Sequence, residues 1–130
     1  MTLEETREFF YQDRYATEAT GIVIDEIGDN YAKVSLKLED RHKAAGDHVM
    51  GGVFYTIGDF AFAVATNTPE HLTVTTTGSI SYYRQPKDDH LIAECTCLKE
   101  GKRFCFYESK VFDGLGNLLA KVNFNGAHIS

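Results

Sequence analysis

"DHVMGGVFYTIGDFAFAVATN", residues Asp47 to Asn67, is the stretch that decides the fold. From Gly51 to Asn67 nearly every position is small or apolar, and the run is long enough for a helix of about four to five turns. A helix that is apolar almost all round must be covered on most sides. This one opens on two glycines and keeps a single acid, Asp59, in its middle.

The flanking chain supplies the cover. Thr2 to about Tyr15 is expected to be helical, with Thr2 as N-cap and Glu5 three residues on, the spacing of a capping box. Leu3, Phe9 and Phe10 would lie against the core. "GIVIDEIGDNYAKVSLKLED" reads as a hairpin turning at "GDN". In its second half Val34, Leu36 and Leu38 alternate with Lys33, Ser35, Lys37 and Glu39, the period of a strand. "RHKAAGDHVM" is irregular, and "TPEH" ends the long helix. Beyond it, "LTVTTTGSISYYRQP" is rich in strand formers. "HLIAECTCLKEGKRFCFYESKVFDGLGNLLAKVNFNGAHI" divides into three strands at "EGKR" and "DGLGN". The expected fold is α+β, a curved antiparallel sheet wrapped around one helix. A second subunit would cover the helix face that the sheet leaves bare.

Composition narrows the function. The chain of 130 residues suits one domain with one core, residues 1–130. Its formal net charge of −6 disfavours binding to a nucleic-acid backbone. The three cysteines, Cys95, Cys97 and Cys105, form no CxxC pair and no disulfide framework, which points to a reducing compartment. "MTLEETREFFYQDRY" is too charged for a signal peptide, and no apolar run reaches the roughly 18 residues of a membrane span. The expected location is the cytoplasm, with neither nucleic acid nor membrane as partner. Histidines 42, 48, 71, 90 and 128 are scattered without zinc-ligand spacing, so no metal is expected. Cys95 and Cys97 share one strand face and read as core or surface thiols.

Asp59 stands among Val53, Phe54, Ile57, Phe60, Ala61, Phe62 and Val64. Burial without partners raises a carboxyl's pKa, a setting that suits a general base or nucleophile. Gly51 and Gly52 fall at the helix start, where unpaired N–H groups and the positive end of the dipole can hold a developing oxyanion. They would equally serve close packing against a neighbouring backbone. Gly51 and Asp59 are eight residues apart, about 12 Å along one helix. A base must come within about 3 Å of its target. If both residues serve one reaction, Asp59 of one chain must face Gly51 of another.

"MGGVFYTIGDFAFAVATN" resembles the signature helix of the hotdog-fold thioesterases, in particular the PaaI-like acyl-CoA thioesterases of phenylacetate degradation. "SISYYRQP", "EGKR" and "DGLGNLLAKV" are similar to further family features, so the resemblance spans nearly the whole chain. It implies a hotdog fold of about six strands around the central helix, in a homodimer or a dimer of such dimers. It implies hydrolysis of an acyl-CoA thioester, with no cofactor beyond the coenzyme A of the substrate. Asp59 would be general base or nucleophile. The Gly51 N–H, next to Gly52, would hold the oxyanion, and Thr75 falls near a helper hydroxyl of some members. Arg84, Lys102 and Arg103 would hold coenzyme A phosphates or be solvated turn charges. Tyr82 or Tyr83 would line the acyl pocket or pack in the core.

Two positions depart from the family pattern. Its His is Met50 here, and its Asn falls on Ala44. Methionine cannot orient water or a carbonyl through a strong hydrogen bond. His48, two residues before Met50, is the candidate substitute. The losses also admit a protein that binds acyl-CoA without cleaving it.

Overall fold

A computed structural model describes residues 1–130. Helix α1 (Leu3–Phe10) starts at the expected capping box. The Thr2 hydroxyl accepts from Glu5 N–H at 3.1 Å, and the Glu5 carboxylate accepts from Thr2 N–H at 2.8 Å. Phe10 is buried, while Leu3 and Phe9 pack at the edge of the core. The helix does not continue to Tyr15. The chain turns after Tyr11 and re-enters as a π-helix, Tyr15–Thr20, which Gly21 ends in the left-handed region at φ 89°. Sequence periodicity missed this element because a single wide turn carries no repeat to detect.

Strands β1 (Val23–Gly28) and β2 (Tyr31–Lys37) form the expected hairpin, with Val34 and Leu36 buried. A single 3₁₀ turn, Asp40–His42, precedes the loop to helix α2 (Gly51–Thr66). Buried His42 holds that turn in place. Its Nδ1 accepts from Glu39 N–H at 2.9 Å, and its Nε2 lies 2.7 Å from Thr20 O. Four strands follow: β3 (Thr73–Tyr82), β4 (His90–Glu100), β5 (Phe104–Asp113) and β6 (Leu118–His128). The six strands form one antiparallel sheet in the order β1-β2-β4-β5-β6-β3.

The sheet curls around α2. Phe62 stacks on Phe124 with ring centroids 4.7 Å apart and meets Tyr107 edge-on at 5.4 Å. Gly58 is the point of closest approach. A Cβ there would lie 2.9 Å from Val122 Cγ2, and the Ser109 hydroxyl donates to Gly58 O at 2.8 Å. Cys95 is fully buried, and burial pushes its thiol up to about 12, so it is an inert core residue. No helix is long and apolar enough to cross a membrane.

Candidate functional site

The sheet covers most of α2 but not all of it. Gly52 is exposed, and Thr56, Asp59 and Ala63 are only half-buried. Their spacing of three to four residues makes them one stripe along the helix. Asp59 therefore lies at the edge of the core rather than inside it. No hydrogen bond within the chain reaches its carboxylate.

Opposite this stripe runs the stretch between α1 and the π-helix. The two enclose a hollow of about 290 Å³ lined by Asp13, Tyr15, Ala16, Thr56, Asp59 and Ala63. Burial raises the Asp59 carboxyl above its ordinary value, and the nearby Asp13 charge raises it further. Burial raises Asp13 as well. Arg14 borders the same hollow, but its guanidinium is engaged elsewhere, 2.7 Å from Glu18 and over the Tyr11 ring. Asp13 was not legible as a site residue. An acid in an N-terminal helix reads as part of a solvated face, and only the turn after Tyr11 aims it at α2.

The start of α2 is built differently. Met50 occupies the N-cap with extended backbone, and no side chain caps the first turn. The N–H groups of Gly51 and Gly52 have no acceptor in the chain, so the positive end of the helix is open. Gln85 fixes the approach to this turn by clasping Val49, whose N–H donates to Gln85 Oε1 at 2.8 Å and whose carbonyl accepts from Gln85 Nε2 at 3.2 Å. The Tyr82 hydroxyl donates to Gly51 O at 3.0 Å, and its ring meets Phe54 edge-on. A Cβ on Gly51 would sit 3.1 Å from that hydroxyl, so close packing alone already favours glycine here.

The other candidates scatter. Met50 and His48 are exposed and Ala44 is half-buried; the His48 ring lies beside Gly46 in the loop. Thr75 is exposed on β3 opposite Gly126. It lies about 23 Å along the strand from Tyr82, and so far from Gly51 of its own chain. Arg84 follows β3 near the Gly51 end, where its N–H donates to Leu119 O. Lys102 and Arg103 sit in the β4–β5 turn, and Arg103 O accepts from His128 N–H. His128 in turn pairs with Thr73 at the start of β3, so Arg84 and the Lys102–Arg103 pair mark opposite ends of the sheet.

A family model described as the thioesterase superfamily matches residues 46–120, which contain α2 and the strands through the start of β6. A protein of Archaeoglobus fulgidus named as a candidate esterase is 26% identical over 119 residues, covering 91% of this chain and 77% of its own. One from Saccharolobus solfataricus, named likewise, is 24% identical over 123 residues, covering 93% and 81%. Among solved structures, the PaaI protein of the phenylacetic acid degradation operon of E. coli superposes with a TM-score of 0.89 at 19% identity, covering 98% of this chain and 94% of that one. A thioesterase of Haemophilus influenzae gives 0.89 at 15% identity, covering 100% and 92%. At such identities the structural likeness establishes the hotdog fold.

Proposed function

The chain belongs to the thioesterase superfamily, and on that premise we propose that it hydrolyses an acyl-CoA thioester to a free acid and coenzyme A. One observation carries the mechanism: α2 bears both an open amide pair at Gly51–Gly52 and a desolvated, unpartnered carboxylate at Asp59. The amides suit a thioester carbonyl whose oxygen becomes negative as it is attacked. The carboxylate suits a general base: it takes a proton from water, the water oxygen bonds to the carbonyl carbon, and collapse expels the coenzyme A thiolate. Direct attack by Asp59, through an anhydride that water then opens, uses the same geometry.

The two half-sites lie about 12 Å apart along one helix, so each complete site takes Gly51 from one subunit and Asp59 from its partner. Two features support a second copy on this surface. The α2 stripe carrying Asp59 is uncovered. The edge strand β3 exposes Val74 and Tyr82 with its outer backbone unpaired, a template for strand addition. Arg84 of one chain and Lys102 and Arg103 of another are then the candidates for coenzyme A phosphates.

The pH dependence follows from the carboxyl pair. The base works as a carboxylate, so a raised pKa moves the acidic limb of the rate profile up from the ordinary aspartate range near about 4. Replacing Asp13 by Asn removes the like charge but leaves the burial. The acidic limb of kcat/KM should therefore shift to lower pH, while the plateau rate stays close to wild type. An unchanged limb would show that Asp13 does not sense Asp59.

The absence of a polar side chain at Met50 favours a second reading, in which the protein binds acyl-CoA without turning it over. Thiol release by the unmodified chain separates the two, and the pair Met50→His and Ala44→Asn tests whether these departures limit the rate. On the catalytic reading it should raise hydrolysis about tenfold or more by adding groups that orient water and carbonyl. On the binding reading the unmodified chain binds coenzyme A esters and releases no thiol.

A further inference from the structure

A second polar cluster lies at the far end of α2 from Gly51, and the proposed hydrolysis does not use it. Glu100 closes β4, Cys105 is the second residue of β5 and His128 closes β6. Their ligand atoms, a Glu100 carboxylate oxygen, Cys105 Sγ and a His128 ring nitrogen, all lie within 4.8 Å of one another. Cys105 is fully buried, and the His128 side chain is only 8% exposed. Glu100 and His128 border a hollow of about 300 Å³ also lined by Thr66, His71, Lys102 and Tyr107.

Hydrogen bonds from outside the cluster hold two of its three members in place. The Thr73 hydroxyl lies 3.3 Å from Thr66 O and 2.7 Å from His128 Nδ1. The shorter contact holds the ring, with the hydroxyl donating to Nδ1 or accepting from Nδ1–H according to the tautomer. With the proton on Nδ1, the neutral ring presents a lone pair at Nε2, and Nε2 faces Glu100 Oε1. The other carboxylate oxygen, Oε2, accepts from the Tyr107 hydroxyl at 2.7 Å. In that tautomer two lone-pair atoms face each other beside a buried thiol, and each side chain is fixed from behind by an outer partner. With the ring proton on Nε2 the two side chains instead share a direct hydrogen bond, so a metal ion would enter by displacing that proton and parting them.

We propose that Glu100, Cys105 and His128 form a binding site for a divalent transition-metal ion of the zinc type. Nitrogen, oxygen and sulfur donors together select a borderline-soft ion over magnesium or calcium. Thr73 on the imidazole and Tyr107 on the carboxylate are the outer partners that metal ligands ordinarily have. Three protein ligands would leave one position of a tetrahedral ion open. His71 lines the hollow that Glu100 and His128 border, its ring centroid 4.8 Å from that of His128. Strands β4, β5 and β6 supply one ligand each, so the ion would clamp three neighbouring strands at one end of the sheet. The site does not depend on the thioesterase reading.

The test uses the full chain, stripped with a chelator and titrated with Zn²⁺ by calorimetry and with Co²⁺ by absorbance. One ion should bind per chain, and the Co²⁺ form should show a thiolate-to-cobalt charge-transfer band that Cys105→Ser abolishes. Cys105 is buried and its replacement risks the fold, so two milder variants carry the test independently. Glu100→Gln removes a ligand and should weaken Zn²⁺ binding, and Thr73→Val, which touches no ligand atom directly, should weaken it about 10–100-fold. No saturable Zn²⁺ binding by the unmodified chain, or equal binding by Glu100→Gln and Thr73→Val, would overturn the proposal. In that case the cation between Glu100 and His128 is a proton.

Discussion

Asp59→Asn should lower thioester hydrolysis by about 10²–10⁴-fold, the usual worth of a positioned general base. The measurement is free-thiol release from a panel of acyl-CoA substrates, aromatic and aliphatic. The substitution keeps the shape of the side chain and removes its basicity. Asp59 makes no hydrogen bond that holds the fold, so the melting temperature should not fall. It should rise slightly if anything, because the variant removes a desolvated charge beside Asp13. Activity unchanged in Asp59→Asn sinks the mechanism. A subunit-mixing experiment then tests the shared site. Gly51→Val places a branched side chain against the Tyr82 hydroxyl and blocks the amide end, so it should also be inactive. Co-expressed with Asp59→Asn, it should yield mixed dimers with one intact site each. The recovered activity should be about a quarter of wild type for random pairing. No recovery would mean that Gly51 and Asp59 serve within one chain or not at all.

Asp113→Ala should be the most destabilising of the substitutions considered, by about 2–4 kcal/mol, because it removes at once the shared acceptor of several part-buried N–H donors. Asp113 ends β5 and is fully buried. Its two oxygens accept from the N–H groups of Lys87, Leu115 and Asn117 and from the Asn117 side chain, at 2.9 to 3.0 Å. They thereby tie the β5–β6 hairpin to the β3–β4 connection. Burial opposes ionisation of this carboxyl, but the Asn117 side chain and the three backbone donors outweigh it and hold the carboxyl down, from 3.8 to about 2. A carboxyl lowered on folding adds stability above its unfolded value. That stability is lost as pH falls through the folded one. The urea midpoint of the wild type should therefore drop between pH of about 4 and about 2. That acid-linked loss should be smaller in Asp113→Ala, which begins from a lower midpoint throughout. A midpoint at neutral pH within error of wild type would contradict the role given to Asp113.

The elements of this fold were legible because each rests on a local pattern. Seventeen nearly unbroken small or apolar residues from Gly51 could only be a covered helix. Val34 and Leu36 alternate with polar neighbours because one face of β2 is buried. "DGLGN" announces the hairpin in which Asp113 later proves to be the anchor. Thr2 and Glu5 announce a helix start, and they cap one. Where the pattern is a single turn, as in the π-helix after Arg14, sequence offered nothing to count.

The candidate site divides along the same line. Gly51, Gly52 and Asp59 were readable because they share one helix, and the rise per residue even placed them about 12 Å apart. Tertiary structure alone decided three things: that Asp59 sits on the uncovered stripe of α2, that Asp13 faces it, and that Tyr82 closes over Gly51. It also brought Glu100, Cys105 and His128 together from three strands, where their spacing in the chain shows no ligand pattern. Periodicity records which face of an element is buried, since burial of apolar area acts residue by residue. Contact between distant elements depends on strand order, register and the path of irregular chain, and no local pattern encodes these.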